Sequence, residues 1–474
     1  MNGENIDLFS SAGVEKLFGK RYLTEIIDNI RKVYLSDNRP WVIGYSGGKD
    51  STASLQLVWS ALDSLPRKNV NKPVYVISSN TLVESPAIID LISSNLKALQ
   101  RSATENSLPF FTQVVEPKIS DSFWVNLLGK GYPVPYSRSR WCTDRLKIRP
   151  MNEYILSKIA QYGEVVIVLG LRKDESVTRA QAIKKHAIRR TELKSHTFFP
   201  GAYVYLPIVD FSTDDVWRYL NESPCPWGSK DTNEELFALY RDAGADERPL
   251  VMDESTPPLG NRRFGCWVCT VVNRDLSMEA LIESRGISWM KHLLELRNFI
   301  ASFKEQEQKE KYRDHRRRNG KVHFKKDGKS VAWGQTTIEK GLPQLILKKL
   351  LETQIEVRKC NPDVTLISNE EIHEIRRLWR IEQHDWRDQI PQIYQEVTGK
   401  DLNWIQDDMG RFTTEDRVVL EEICQNKSVP PKLVAELLDL EREFQGMSRR
   451  ANIYKRIEKI LKKDWRTLDD IMKS

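Results

Sequence analysis

Trp41-Val42-Ile43-Gly44-Tyr45-Ser46-Gly47-Gly48-Lys49-Asp50-Ser51-Thr52 is the stretch on which the fold turns. Its first five residues suit a short buried strand, and a helix is expected from about Thr52 to Ser64. Between them, two adjacent glycines let the backbone turn tightly and approach a ligand with no Cβ in the way. The N–H groups of the turn and of the following helix N-terminus then point at one place, which suits an anion. Ser46, Ser51 and Thr52 add hydroxyl donors, and Lys49 adds a positive charge. The pattern is not a Walker A loop, because Lys49 is followed by Asp50 and the upstream glycine spacing is wrong.

Outward from this cradle, strand-like and helical segments alternate. Val74 to Ser78, Phe110 to Val115 and Val165 to Gly170 read as strands; Pro86 to Gln100 and about Pro150 to Tyr162 read as helices. Upstream, Ile27, Ile30, Val33 and Tyr34 recur at helical spacing. Strands separated by helices of this length argue for an α/β domain: a doubly wound, mostly parallel sheet with helices on both faces. From Asp214 the character changes. Asp215 to Leu220 is helical, Ser223 to Gly228 and Pro257 to Thr270 are loops, and a helix is expected from Ser277 towards Arg318 with a break near Gly286. The rest is helical by pattern, as in Glu370 to Arg387 and Leu433 to Phe444. The expected division is a helical lead-in (1–40), the nucleotide domain (41–275), a long helix with a basic segment (276–330) and a helical accessory domain (331–474).

At 474 residues the chain has room for two or three domains. No apolar run approaches the ~20 residues of a membrane-spanning helix, and no signal peptide is evident, so a cytoplasmic location with no membrane partner is expected. The net charge is +7. Between Phe303 and Ser330, eleven Lys/Arg face five Asp/Glu, so most of the surplus is local. A surface of that kind attracts a polyanion such as nucleic acid, although a solvated helix and loop would look the same.

The cradle closely resembles the PP-loop of ATP pyrophosphatases. That resemblance implies that ATP is split to AMP and pyrophosphate, adenylating a substrate oxygen that nitrogen or sulfur then displaces. It also implies an adenine nucleotide alpha hydrolase-like fold. Four further segments resemble the phosphoadenylylsulfate (PAPS) reductase-like branch, in order: Trp141-Cys142-Thr143-Asp144-Arg145 through Pro150; Gly170-Leu171-Arg172-Lys173-Asp174-Glu175-Ser176 with Arg179; Leu206 through Trp217; and Phe264-Gly265-Cys266-Trp267-Val268-Cys269-Thr270. Within the branch, Val76 to Pro86, Gly131 to Pro135 and Gly260 to Thr270 are similar to the DndC family, sulfurtransferase-like components of bacterial DNA phosphorothioation systems. The implied partners are DNA, a cysteine desulfurase as sulfur donor, and other phosphorothioation proteins.

The resemblance assigns Ser46, Gly47, Gly48, Lys49, Ser51 and Thr52 to pyrophosphate. Asp50 is expected to orient the loop or assist Mg²⁺, which usually accompanies ATP phosphates. Arg172 and Arg179 are expected phosphate contacts, with Asp174 and Glu175 as orienters; Lys49, Asp50 and Arg172 form the expected catalytic set. Of the six cysteines, Cys142, Cys266 and Cys269 fit the family's [4Fe–4S] ligands. Members commonly carry another cysteine shortly before the pair, but Ser255 to Gly260 has none, leaving Cys225, flanked by prolines, as the candidate fourth ligand. A three-thiolate cluster, zinc, or no metal remain the alternatives. Cys360 and Cys424 read as buried small apolar residues.

Rival functions are a PAPS or adenylylsulfate reductase, a tRNA thiolase, and a nucleotide-sensing scaffold without catalysis. The reductases typically need a mobile cysteine near the C-terminus, which Asp469 to Ser474 does not supply.

Overall fold

A computed structural model describes residues 17–175, 193–196, 198–228, 232–243, 265–404, 412–445 and 450–473. Within them the chain forms two compact units. The first combines residues up to 80, 85–115 and 149–264; the second combines 81–84, 116–148 and 265 onward.

The first unit is built on a six-stranded sheet. After a two-residue hairpin, β1 (Leu17–Phe18) and β2 (Arg21–Tyr22), the sheet strands are β3 (Trp41–Gly44), β4 (Val74–Ser79), β5 (Phe110–Val115), β6 (Val165–Val168), β7 (Lys194–Ser195) and β8 (Ala202–Tyr205). Their spatial order is β5-β4-β3-β6-β8-β7, and only the edge strand β7 runs antiparallel. Central β3 sets Trp41 opposite Val74 on one side and Val166 on the other.

Alternate residues of each strand serve opposite cores, as a period of two requires. Trp41, Ile43, Val74, Val76, Val166 and Val168 pack with residues of α1 (Leu23–Leu35), α2 (Lys49–Asp63) and α3 (Pro86–Glu105). Val42, Ile77, Val165 and Ile167 pack with Ile155 and Tyr154 of α4 (Arg149–Tyr162). Helices therefore cover both faces, and the central strands β3 and β6 read as continuous apolar runs because neither side meets water, whereas β5 exposes Phe111 and Val114. α5 (Thr213–Glu222) is held by a capping box in which Ser212 and Asp215 exchange hydrogen bonds. α6 (Thr232–Asp242) follows.

The second unit is mainly helical. Its core joins Phe123, Trp124, Leu127 and Leu128 to apolar faces of later helices. Two buried indoles tie the segments together: Trp124 Nε1 donates to the Leu366 carbonyl (2.6 Å) and Trp379 Nε1 to the Leu128 carbonyl (2.8 Å). The helix expected from Ser277 to Arg318 is three helices: α7 (Leu276–Arg285), α8 (Met290–Ser302) and α9 (Gln306–Tyr312). The first break is at Gly286, in a left-handed conformation (φ 64°). Beyond Tyr312 the basic stretch is not helical. Antiparallel bridges Arg316↔Val322 and Phe324↔Val331 close over Asn319-Gly320 and Asp327-Gly328, turn dipeptides whose glycines take positive φ. Seven more helices follow: α10 (Leu342–Cys360), α11 (Asn369–Glu382), α12 (Gln389–Thr398), α13 (Thr414–Lys427), α14 (Pro431–Glu443), α15 (Ile453–Leu461) and α16 (Leu468–Lys473). No helix among the described residues is long and apolar enough to cross a membrane.

Candidate phosphate cradle and thiol site

The order of the strands places the cradle. From β3 the chain steps outward through β4 to β5, then returns to lay β6 on the other side of β3. Open sheets of this kind bind ligands beyond the carboxyl ends of the strands, where the order reverses. The cradle follows β3 and Leu169 to Arg172 follow β6, so both loops lie at that point. Their approach is close. A Cβ on Gly170 would sit 2.5 Å from the Asp50 carbonyl oxygen and 3.0 Å from Ser51 N, so only glycine fits. Gly47 turns the chain with φ +72°.

Gly48, the N-cap of α2, has no side chain with which to cap the first turn. That leaves an N-terminus whose N–H groups and dipole favour an anion. The cradle hydroxyls brace the loop. Ser51 Oγ donates to the Gly48 carbonyl (2.9 Å) and accepts from Ser46 N (3.2 Å), with Ser46 Oγ 3.1 Å away; Thr52 Oγ1 also donates to Gly48 O (3.0 Å).

Asp50 links the two cations. Its Oδ1 accepts from Arg172 Nε at 2.6 Å, and its Oδ2 lies 3.5 Å from Lys49 Nζ. Arg172 is 2% exposed and Lys49 6%. The Arg172 Nη1 makes no hydrogen bond among the described residues, although Asp174 Oδ2 lies 3.8 Å from it. A buried guanidinium nitrogen without an acceptor is costly unless a ligand supplies one. Glu175 closes a short turn, Lys173–Glu175, and Arg179 lies outside the described residues.

One residue at the cradle carries no motif signal. Tyr240, on α6, accepts a hydrogen bond from Lys49 N (3.4 Å) through its hydroxyl, and its ring centroid lies 5.6 Å from Lys49 Nζ. Trp217 holds it edge-on at 5.1 Å. At 191 residues from Lys49, its role is visible only in three dimensions.

The second unit carries a thiol site. Cys266 and Trp267 pair antiparallel with Val83 and Glu84, through the Glu84↔Cys266 bridge and Trp267 N to Val83 O (3.0 Å). A tight turn brings Cys269 N to the Cys266 carbonyl (3.0 Å). Thr81 Oγ1 lies 3.4 Å from Cys266 Sγ, and Lys147 Nζ pairs with the buried Glu84 at 2.9 Å. Burial, and then the Glu84 charge, push the Cys266 thiol up to about 12. Burial and the neighbouring Cys269 raise Cys142. Burial would lower the Lys147 ammonium, but Cys266, Glu84 and Cys142 hold it above the ordinary lysine value. Lys147 thus shares a field with two of the cysteines, which sequence spacing alone does not reveal.

Cys225 belongs to the first unit. It is 5% exposed, and burial pushes its thiol up to about 11 against hydrogen bonds from Trp227 N, Gly228 N and Gln56. All four candidate ligands are free thiols. Among the described residues, no three His, Cys, Asp or Glu side chains are grouped as a metal site. Cys424 is buried as expected, but Cys360 is exposed at the last position of α10, where the helix end leaves it in solvent.

Residues 40–272 match the family model of the phosphoadenosine phosphosulfate reductase domain. Residues 415–462 match that of a small protein found in certain Dnd DNA modification systems. Two uncharacterized proteins of Methanocaldococcus jannaschii are 26% and 28% identical over 206 and 198 residues, 44% and 41% of this chain. The matched parts span only 36% and 40% of those relatives' own lengths. Among solved structures, PAPS reductase from Candida auris aligns with a TM-score of 0.28 and 13% identity, covering 44% of this chain and 89% of that one. The U34-tRNA thiolase NcsA from Methanococcus maripaludis, with its [4Fe–4S] cluster, aligns at 0.29 and 18%, covering 50% and 81%.

Proposed function

We propose that this chain is an ATP pyrophosphatase-type sulfurtransferase that activates an oxygen of the DNA backbone for replacement by sulfur. The observation that carries the nucleotide part is the glycine-capped N-terminus of α2 closed by the Lys49–Asp50–Arg172 chain, with the Arg172 Nη1 buried and lacking an acceptor among the described residues. Three elements supply what a polyphosphate needs there. Backbone N–H groups of the cradle meet its oxygens, Lys49 offsets its charge, and Arg172 donates the unused hydrogen bond. Asp50 orients both cations, while Ser51 and Thr52 hold the loop rigid, so little reorganisation accompanies binding. Mg²⁺ arriving with ATP would share the phosphate charge; Arg179, Asp174 and Glu175 are further phosphate-side residues in this reading.

Attack of the acceptor oxygen on the α-phosphorus releases pyrophosphate and leaves AMP as the second leaving group, displaced when sulfur arrives. Support for sulfur and DNA comes from the two family matches, one to a PAPS reductase domain and one to a protein of Dnd DNA modification systems.

The donor set at the thiol site fits a [4Fe–4S] cluster in kind. Cys142, Cys266 and Cys269 would be its thiolates, and binding would remove the protons that burial holds on Cys142 and Cys266. When bound, such a cluster supplies a site to hold sulfur. Cys225 would serve as a fourth ligand only by leaving its hydrogen bonds to Trp227, Gly228 and Gln56.

The test is mass spectrometry of nuclease-digested DNA from source cells with the gene intact, deleted, and carrying Lys49→Ala. Phosphorothioate dinucleotides should vanish in the last two. Their persistence in the deletion strain, or thionucleosides lost from tRNA instead, would overturn the DNA assignment.

A further inference from the structure

The second unit contains a cavity of about 790 Å³, lined by none of the cradle or thiol-site residues. Its wall combines the basic turn after Asp314, the end of α11 with the residues that follow it, and faces of α14 and α15. Ten Lys/Arg and seven Asp/Glu line it. Each of the seven carboxylates has a partner inside the unit, as in Arg456–Glu443 (2.6 Å), Lys432–Glu339 (3.2 Å) and Arg316–Asp314 (3.1 Å). The surplus is positive. Arg317 and Lys459 have no carboxylate partner among the described residues, and both are exposed to solvent at the cavity.

An independent observation points to an acceptor-rich occupant. Trp386 lines the cavity at 9% exposure, and its buried indole Nε1 makes no hydrogen bond among the described residues. Its ring is fixed by stacking on Phe412 (4.6 Å between centroids), so the N–H does not reorient freely to find water. A buried donor without an acceptor is destabilising unless a ligand completes it. Arg313 adds to the positive field: burial, with Arg317 beside it, pulls its guanidinium down to about 10.

We infer that this cavity is a binding site for a nucleotide-sized phosphate ester, separate from the PP-loop cradle. The volume lies in the range of small-molecule sites and exceeds what one inorganic ion needs. The charge excess selects an anion, and the guanidinium and indole donors suit the several oxygens of a phosphate. A third of the lining residues lie in 415–462, the segment that matches the Dnd-associated family, so a DNA-derived ligand is the first source to try.

The test is titration calorimetry on the full chain carrying Lys49→Ala, which removes the cradle's ammonium. The probes are a 5′-phosphorylated thymidine dinucleotide, inorganic tripolyphosphate and citrate. Saturable binding of the dinucleotide is expected, loosened about tenfold by Arg317→Ala with Lys459→Ala and several-fold by Trp386→Phe, which keeps an aromatic ring facing Phe412 and removes the N–H together with the rest of the pyrrole ring. Lys455→Ala, an exposed lysine of α15 outside the lining, should leave the affinity unchanged. Binding of tripolyphosphate alone would retain the phosphate chemistry and assign a non-DNA source. No saturable binding, citrate bound as tightly as either phosphate, or equal weakening by Lys455→Ala would overturn the site.

Discussion

Gly170→Ala isolates the contact that brings the two halves of the cradle together. Gly170 does not need glycine's conformational freedom, since its φ is not positive; what it needs is space. The added methyl would meet the Asp50 carbonyl oxygen at 2.5 Å, the carbonyl carbon at 2.8 Å and Ser51 N at 3.0 Å, all backbone atoms that no rotamer change can move. Ordinary contact begins at 3.4 Å, so the loop after β6 and the first turn of α2 must separate by about 0.9 Å (3.4 minus 2.5). Overpacking of this kind costs about 1–3 kcal/mol, which in a unit of this size lowers the melting temperature by about 2–4 °C per kcal/mol. The functional effect should be larger. Arg172 travels with the displaced loop and Asp50 with the helix, so their 2.6 Å hydrogen bond lengthens, and a misplacement near 1 Å at a reacting centre costs on the order of 10²-fold in rate. The assay is thermal unfolding of the full chain beside pyrophosphate release from ATP. Gly265→Ala, where a Cβ meets nothing within 4 Å, serves as the stability control. An unchanged melting temperature together with unchanged pyrophosphate release in Gly170→Ala would refute the close-approach argument.

Three other outcomes follow from the packing. Burial would raise the Asp314 carboxyl, but its hydrogen bonds and charge contact with Arg316 hold it below the ordinary range. A depressed folded value stabilises above the unfolded pKa of about 3.9, and that contribution is lost as pH falls through the folded value. Asp314→Asn should therefore cost about 2 kcal/mol at neutral pH and progressively less below about pH 4, read by urea unfolding at several pH values. Trp379→Phe strips the Leu128 carbonyl of its buried donor and leaves a void, so a loss of about 2–3 kcal/mol is expected in the same measurement. Iodoacetamide followed by peptide mapping should label exposed Cys360 well before Cys225, because Cys225 is buried with its thiol pushed up to about 11.

The sheet and cradle were legible because their signals are local. Apolar runs marked β3, β4 and β6, and the strand–turn–helix sequence from Trp41 to Thr52 needs no distant residue. Arg172 was legible as a motif, but its pairing with Asp50 across 122 residues was not. Tyr240, and the contact of the Thr81–Glu84 strip with the cysteine loop, were hidden for the same reason: Lys49–Tyr240 closes 191 residues and Thr81–Cys266 closes 185. The basic stretch misled in another way. Charge density gives no period, so the helix was extended to Arg318, whereas Asn319-Gly320 and Asp327-Gly328 were the signals to weigh. Charge counting also treated three consecutive arginines alike. Arg316 is paired with Asp314 and Arg318 with Glu382, leaving Arg317 alone without a carboxylate among the described residues.

The indole of Trp379 and the carbonyl of Leu128 that it caps are 251 residues apart in the chain. On a ribosome adding ~5–20 residues per second, that interval is roughly 13–50 s. Throughout it, Phe123, Trp124, Leu127 and Leu128 have left the exit tunnel without the helices that later cover them. A nascent chain in that state presents one contiguous apolar segment to its surroundings, and its yield in a cell should depend on holdase chaperones during synthesis far more than its final stability suggests.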